Sequence, residues 1–567
     1  MKHLYPFKIK LLCLIVIAEI SIIQSSAQPS VNALLETNQV SAMIQNRGDM
    51  FWDLAAFAKY EVPKGTGKTP LFASGLWLGG TTAGNNLHLA AVTYRTGTGS
   101  DYFTGPLDTI NGTTDSITAI NYNQIWTMTS SEVEAFRTDW NNGGTLSVSP
   151  AILNWPAQGS GNFTHNLAPF VDLDGNGVYN PATGGDYPLI RGDVMVYWIF
   201  NDYLAPHRQT GGTPLQVEVH ASAYGFNCPT VNDSLKIMNF TTFYHYDIIN
   251  RSNNTYSNFK MGVFMDPDLG NGKDDKIGCL PEQNFGFCYN GDDMDSTGQG
   301  NTYGAHPPIL STVILDGPLA TPNDGQDNNN NGQTDEAGEK CLMTNFQYFN
   351  SFAGSDPITT DPISPVEYYY YLNSKWKDNT SVLDCNNNPT KFSYPGNPGE
   401  NPPCVDTIST DVRMVLCSGG ISFTPNQSIP LDYAIVYSRN ATADYGTPEY
   451  FQQAIDDVDD VQNWYKAGYF SDCSSSTNAI NELSNSSNQL RIFPNPTSYS
   501  STLEFTSPYT QKGTITVRDI MGRTILNQTF QALKGNNRLP LNVGKSGIFF
   551  VSVGVGEWKG VGKVVVE

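Results

Sequence analysis

The sequence predicts a mainly β protein: antiparallel β-sandwiches with few short helices, closed by a small C-terminal β-sandwich. Three observations carry that prediction. Runs of β-branched and aromatic residues such as Val194–Phe200 recur along the chain. Loops dense in Asn, Asp, Gly, Pro and Ser separate them. Only two stretches hold apolar residues at helical spacing.

Taken in order, the chain opens with an address. Lys2, Lys8 and Lys10 precede an apolar core from Leu11 to Ile23, and Ser25-Ser26-Ala27 supplies small residues where a signal peptidase cuts. Residues 1–27 therefore read as a signal peptide, too short for a bilayer span, and no later segment predicts a transmembrane helix. Residues 28–192 read as a β-rich region with runs such as Phe72–Leu78 and one helix, capped by Ser131 with Glu134 closing a capping box and Val133, Phe136 and Trp140 on one face. Residues 193–470 read as a β-sandwich region with Asp/Asn-rich insert loops. Its strands are placed at Val194–Phe200, Leu235–Ile249, Asn258–Met265, Glu367–Leu372, Val412–Leu416 and Tyr433–Tyr437. A helix over Pro448–Lys466 ends it, with Phe451, Ile455, Val458, Val461 and Tyr465 on one face and Asp456, Asp457, Asp459 and Asp460 on a solvated one. Residues 471–489 are too polar to offset chain entropy and read as a linker.

Charge and cysteine usage exclude some function classes. Cleavage after residue 27 removes three of the 32 basic and one of the 54 acidic side chains, leaving 29 against 53, a net charge of −24. Such a surface repels phosphate backbones, which excludes nucleic acid as a partner. Eight of the nine cysteines then remain, with no C-x-x-C, a pattern of disulfides in an exported chain; Cys279 and Cys288 are the closest local pair.

The last segment, 490–567, predicts a second small unit. Arg491-Ile492-Phe493-Pro494-Asn495-Pro496 opens it, Val517 to Arg523 is its centre, and Gly547–Val553 and Lys563–Glu567 close it. Together these blocks resemble the type A sorting domain of type IX secretion substrates in the Bacteroidota. That resemblance implies an Ig-like β-sandwich and marks Pro494, Asn495, Pro496, Asp519, Gly522, Gly547 and Lys563 as the motif residues. It also implies the type IX machinery as partner, and a mature protein released or held at the cell surface on lipopolysaccharide. Pro494 and Pro496 stiffen the entry, and Asp519–Gly522 reads as a turn between strands. Ala168–Pro181 with Gly185–Pro188 resembles segments of other large secreted Bacteroidota proteins, which adds location and no chemistry.

Two loops carry oxygen-rich spacing suited to a hard cation. Asp172, Asp174 and Asn176 with Gly177 make a D-x-D-x-N-G core, to which Val178 adds a carbonyl and Asp186 a nearby carboxylate. Asp327, Asn329, Asn331 and Gly332 repeat the spacing, with Asp335 or Glu336 to complete the shell. Both predict Ca2+, against the plainer reading of Asx turns held by their own side chains. A looser set, Asp266, Asp268, Asp274, Asp275, Asp292, Asp293 and Asp295, reads as scattered over a solvated face.

Enzyme signatures fail. Gly65–Thr69 looks like a phosphate loop, but Val62 occupies its first glycine position. No H-E-x-x-H or G-x-S-x-G occurs, and His220 near Glu218 and His245 beside Asp247 read as structural. Tyr368–Tyr371 reads as a core strand. The expectation is an exported surface or secreted protein, non-catalytic (adhesive or structural) and calcium-stabilised, with an extracellular glycan or protein as possible partner. The alternative is a carbohydrate-binding or glycan-cleaving secreted protein.

Overall fold

A computed structural model describes residues 31–55, 57–95, 99–144, 147–228, 233–295, 301–350, 356–398, 404–468, 473, 490–493, 497, 501–507, 509–519, 524–545, 547–556 and 558–566. The expected signal peptide lies outside these residues, as does the linker apart from Cys473. The chain divides into two compact units, Met1–Ser474 and Ser475–Glu567.

The large unit is built on two nine-stranded sheets. In the first, Leu71–Thr81 pairs with Tyr256–Pro267, which pairs with Val412–Phe423, and Asn345–Asn350 lies at the edge. In the second, Val194–Asn201, Val217–Gly225, Thr241–Asn250, Ser428–Ser438 and Ile309–Asp316 follow one another. All these pairings are antiparallel. Leu76 and Leu78 from the first sheet share a core with Val196, Trp198 and Phe200 from the second, so the sheets pack face to face as a sandwich.

Each sheet is also covered on its outer face, which explains the long apolar runs. In Val194–Asn201 the alternate residues Met195, Tyr197 and Ile199 point away from the sandwich core into a second cluster. There they meet the helix Pro448–Lys466 through its Phe451, Ala454, Val458, Val461 and Trp464. A strand apolar on both faces loses the period-two alternation of a half-wet strand. On the first sheet, Trp77 and Phe264 are stacked at 5.6 Å and covered by Tyr368, Tyr371 and Leu372.

That last contact corrects an expectation: Pro365–Tyr371 is a helix, not a strand. Pro365 stands in the first turn, where a missing N–H costs nothing, and Tyr368, Tyr371 and Leu372 fall at i, i+3 and i+4 on the face that meets Trp77. The earlier helix spans Ser130–Asn141 and is capped by Thr129, whose hydroxyl accepts from the Glu132 amide at 3.1 Å, rather than by Ser131. Asp233–Phe240 is a 3-10 helix, so the strand expected from Leu235 begins at Thr241. The regions 28–192 and 193–470 do not fold apart: Leu71–Thr81 pairs with Tyr256–Pro267, and Trp126–Thr129 with Val194–Asn201.

The cysteine pairing also differs from the local expectation. Cys228 joins Cys473 and Cys385 joins Cys404, while Cys279 and Cys288 are free and buried. The register puts Cys288 opposite Ile277 and Cys279 opposite Gly286, so the two cysteines are diagonal neighbours. Diagonal Cα atoms lie about 7–8 Å apart, beyond the reach of a disulfide.

The small unit has a three-stranded sheet (Arg491–Phe493, Ser501–Ser507, Gly535–Leu541) and a four-stranded sheet (Thr524–Gln531, Lys512–Asp519, Gly547–Val555, Trp558–Val566). Leu503, Phe505 and Leu541 from one meet Ile515, Val517 and Val551 from the other. Seven strands in two facing sheets match the expected sandwich.

Candidate functional site

The Asp172 loop closes on itself as its spacing dictates. Asp172 accepts from the amides of Gly175 (2.9 Å), Asn176 (3.2 Å) and Gly177 (2.8 Å), which hold its carboxyl below the usual range. Asp174 accepts from Asn176 N, and Asn176 Oδ1 accepts from Val178 N. Asp186, fully buried, arrives from beyond a short helical turn and is fixed by the amides of Leu173 and Asn180, both at 2.8 Å. Carboxylate oxygens of Asp172, Asp174 and Asp186 lie within 4.8 Å of one another. Asn180 Oδ1, buried and without a hydrogen-bond donor, sits beside Asp174, where a Cβ on Gly184 would collide with both. Sequence spacing missed Asn180, which no short motif includes.

The second loop repeats most of these bonds. Asp327 accepts from Asn331 N (3.1 Å) and Gly332 N (2.7 Å), Asn329 from Asn331 N (3.1 Å), and Asn331 Oδ1 from Gln333 N (2.8 Å). Glu336 reaches back to the side-chain amides of Asn329 (2.6 Å) and Asn331 (2.7 Å), whereas Asp335 turns away to Gly325 N. The two candidates for the last position are thus separated: Glu336 belongs to the loop, and Asp335 does not.

The looser acidic set divides. Asp266 and Asp268 converge with Asp411, which sequence did not single out, within 4.8 Å. Burial, together with its neighbours' charge, pushes Asp268 to about 8; burial pushes Asp266 to about 7 despite Arg413 beside it. Asp275, Asp292, Asp293 and Asp295 instead accept backbone amides from Leu269, Met294, Tyr445 and Tyr303. These hold turns.

Beside the first loop lies a cleft of about 830 Å³, walled by Asp172 and Gly177 and floored by the outer face of the second sheet. Register builds that floor: Tyr197 lies opposite Ser222, Ser222 opposite His245, and His245 opposite Asp432, one row across four strands. His220 and Asp247 form the next row. Burial disfavours a charged His245, but Asp432 on Nδ1 and Asp247 on Nε2 (3.1 Å) outweigh it and raise the ring to about 9. Glu218 is buried yet held at about 2, because His220 (2.8 Å) and Arg251 (2.8 Å) bind it. Neither histidine is a plain packing residue, and both line the cleft. The faint sequence signal was a carboxylate two residues from each: Glu218 from His220, Asp247 from His245.

In the small unit, Gly547 opens the strand Gly547–Val555 and Lys563 lies opposite Phe550 in the last strand. Asp519 ends the strand Lys512–Asp519. Pro494, Asn495, Pro496 and Gly522 lie outside the described residues. Residues 491–567 match the family model described as a secretion system C-terminal sorting domain. The chain carries a type IX secretion sorting domain. A protein with this sorting domain is a type IX substrate, secreted or displayed at the outer cell surface.

No curated protein matches the chain. Among solved structures, a polysaccharide lyase overlaps 62% of this chain and 34% of its own, with 8% identity and a TM-score of 0.18. The chain thus spans about a third of that protein, and the overlap is too loose to carry fold or activity. Among the described residues, no helix is long and apolar enough to cross a membrane.

Proposed function

We propose that the large unit works outside the cell as a calcium-stabilised, non-catalytic body, adhesive or structural, delivered by the sorting domain. One observation carries the reading: Asp172, Asp174 and Asp186 gather three carboxylates within 4.8 Å, on a loop whose hydrogen bonds recur around Asp327. Carboxylates at that separation repel, and a cation with oxygen ligands relieves the repulsion. The non-catalytic part rests on the cleft, whose His245 has both ring nitrogens on carboxylates and whose His220 is bound to the buried Glu218, itself saturated by His220, Arg251 and the Leu107 amide.

The test is unfolding of the mature chain with calcium and with chelator. Calcium at about 100 times its Kd stabilises the folded state by about 2.7 kcal/mol, and Asp172→Asn with Asp186→Asn removes that gain. A melting point indifferent to calcium sinks the proposal.

A further inference from the structure

We infer that the depression over Lys260, on the outer face of the first sheet, is a binding site for a small monovalent carboxylate of the size of formate or acetate. About 180 Å³ is open there, below the usual range of about 300–1,000 Å³ for small-molecule sites and equal to the share of roughly six water molecules. No apolar side chain lines it. Lys260, Thr344, Asn345 and Gly419 make a buried floor, with Asp324 and Lys391 on an exposed rim.

Register and glycine build that floor. Lys260 lies opposite Gly419 and Asn345 opposite Cys417, with the strand Val412–Phe423 between them. Met261 belongs to the sandwich core, so Lys260 beside it points to the outer face. Gly419 puts no side chain in its way, and Lys260 Nζ reaches Thr344 Oγ1 and Asn345 Oδ1, both at 3.1 Å. A Cβ on Gly420 would have Nζ as its nearest heavy atom, at 3.4 Å. Thr344, Asn345 and Gly420 all line the depression, so the ammonium they surround stands at its floor.

The charges around the depression leave room for one anion. An ammonium has three N–H donors, and Lys260 uses two of them. Among the described residues it makes no ion pair. The rim carries one charge of each sign: Asp324 accepts from Gln326 N and Asn328 Nδ2, and Lys391 donates to Gln326 Oε1. Those two offset each other in water, which leaves one buried cation on the floor. A buried charge without a counter-ion is costly. The amine registers that cost: burial, and after it the Lys391 charge, lower it to about 8. A single carboxylate supplies the missing charge and an acceptor for the third N–H, and its second oxygen meets walls made of amides and hydroxyls. Nothing here depends on calcium.

Calorimetric titration of the mature chain with sodium acetate, in chelator, decides it, with chloride as the control for charge alone and benzoate as the control for size. Acetate is expected to saturate one site, and both controls to bind about tenfold more weakly or not at all. Lys260→Met keeps the stem and removes the charge, and it weakens acetate about tenfold or more, the effect of losing one charged hydrogen bond. The parent gives a second reading that needs no variant. As Lys260 loses its proton, acetate affinity falls about tenfold between about pH 7 and pH 9. The other groups facing the amine are Lys391 and Asp324 on the rim and the thiols of Cys417 and Cys341, which burial raises to about 12 and about 11 and so keeps neutral over this window. The proposal is overturned if acetate does not saturate below about 100 mM, if chloride or benzoate binds as tightly, if a folded Lys260→Met binds as the parent does, or if the affinity is the same at pH 7 and pH 9.

Discussion

Replacing His245 with Gln removes a buried cation from between Asp432 and Asp247, and the cost should depend on pH in one direction only. The imidazole titrates near 6.5 in the unfolded chain and at about 9 in the fold, because the two carboxylates outweigh burial. At about 1.36 kcal/mol per pH unit this difference is worth about 3 kcal/mol. The folded pKa is the higher, so the contribution is complete below about pH 6.5 and is lost as pH rises through 9. The groups facing the ring are Asp432 and Asp247 on the neighbouring and same strands, with Arg191 and Tyr465 reaching Asp432 from outside the sheet. Asp432 and Asp247 are both held below the carboxylate range despite burial, so they stay ionised over this window. Urea unfolding of parent and His245→Gln across about pH 6 to 10 should show a stability gap that shrinks by about 3 kcal/mol. A gap that does not change with pH, or a ring resonance titrating near 6.5, refutes the reasoning.

Other consequences are as direct. Replacing Cys228 and Cys473 with Ser opens a loop with a sequence separation of 245 residues and should cost about 5 kcal/mol on the chain-entropy model, read as a fall in urea midpoint. Gly75→Ala should cost about 1–3 kcal/mol, because a Cβ there meets the Val92 carbonyl, a backbone atom in the adjoining strand region that cannot swing aside. Asp268 has a folded pKa raised to about 8, so ionising it destabilises the fold as pH climbs from about 4. Asp268→Asn measured in chelator should therefore be more stable than the parent at pH 8, and no gain there contradicts the assignment. Deleting residues 491–567 should keep the protein from the cell surface and the medium, scored by immunoblot of the fractions.

Several features were legible because their cause is local. Pro448–Lys466 has its helical bounds as expected, since apolar spacing at 3.6 residues per turn survives whatever the helix packs on. Val194–Phe200 is a strand because both its faces are apolar. The bonds around Asp172 and Asp327 follow from Asx spacing within six residues. The same pattern reading misplaced Tyr368–Tyr371, where four aromatics in a row fit either period and only the position of Trp77 selects the helix.

The amino-acid order by itself determined the β class, the sorting domain and the two oxygen-rich loops, all of them written in runs of a few to some tens of residues. Only the tertiary structure decided that Tyr197, Ser222, His245 and Asp432 stand in one row, that Asp411 joins Asp266, and that Cys228 finds Cys473. Short-range periodicity is fixed by backbone geometry, whereas register between distant strands is set by the packing of the whole core, which no window of sequence contains.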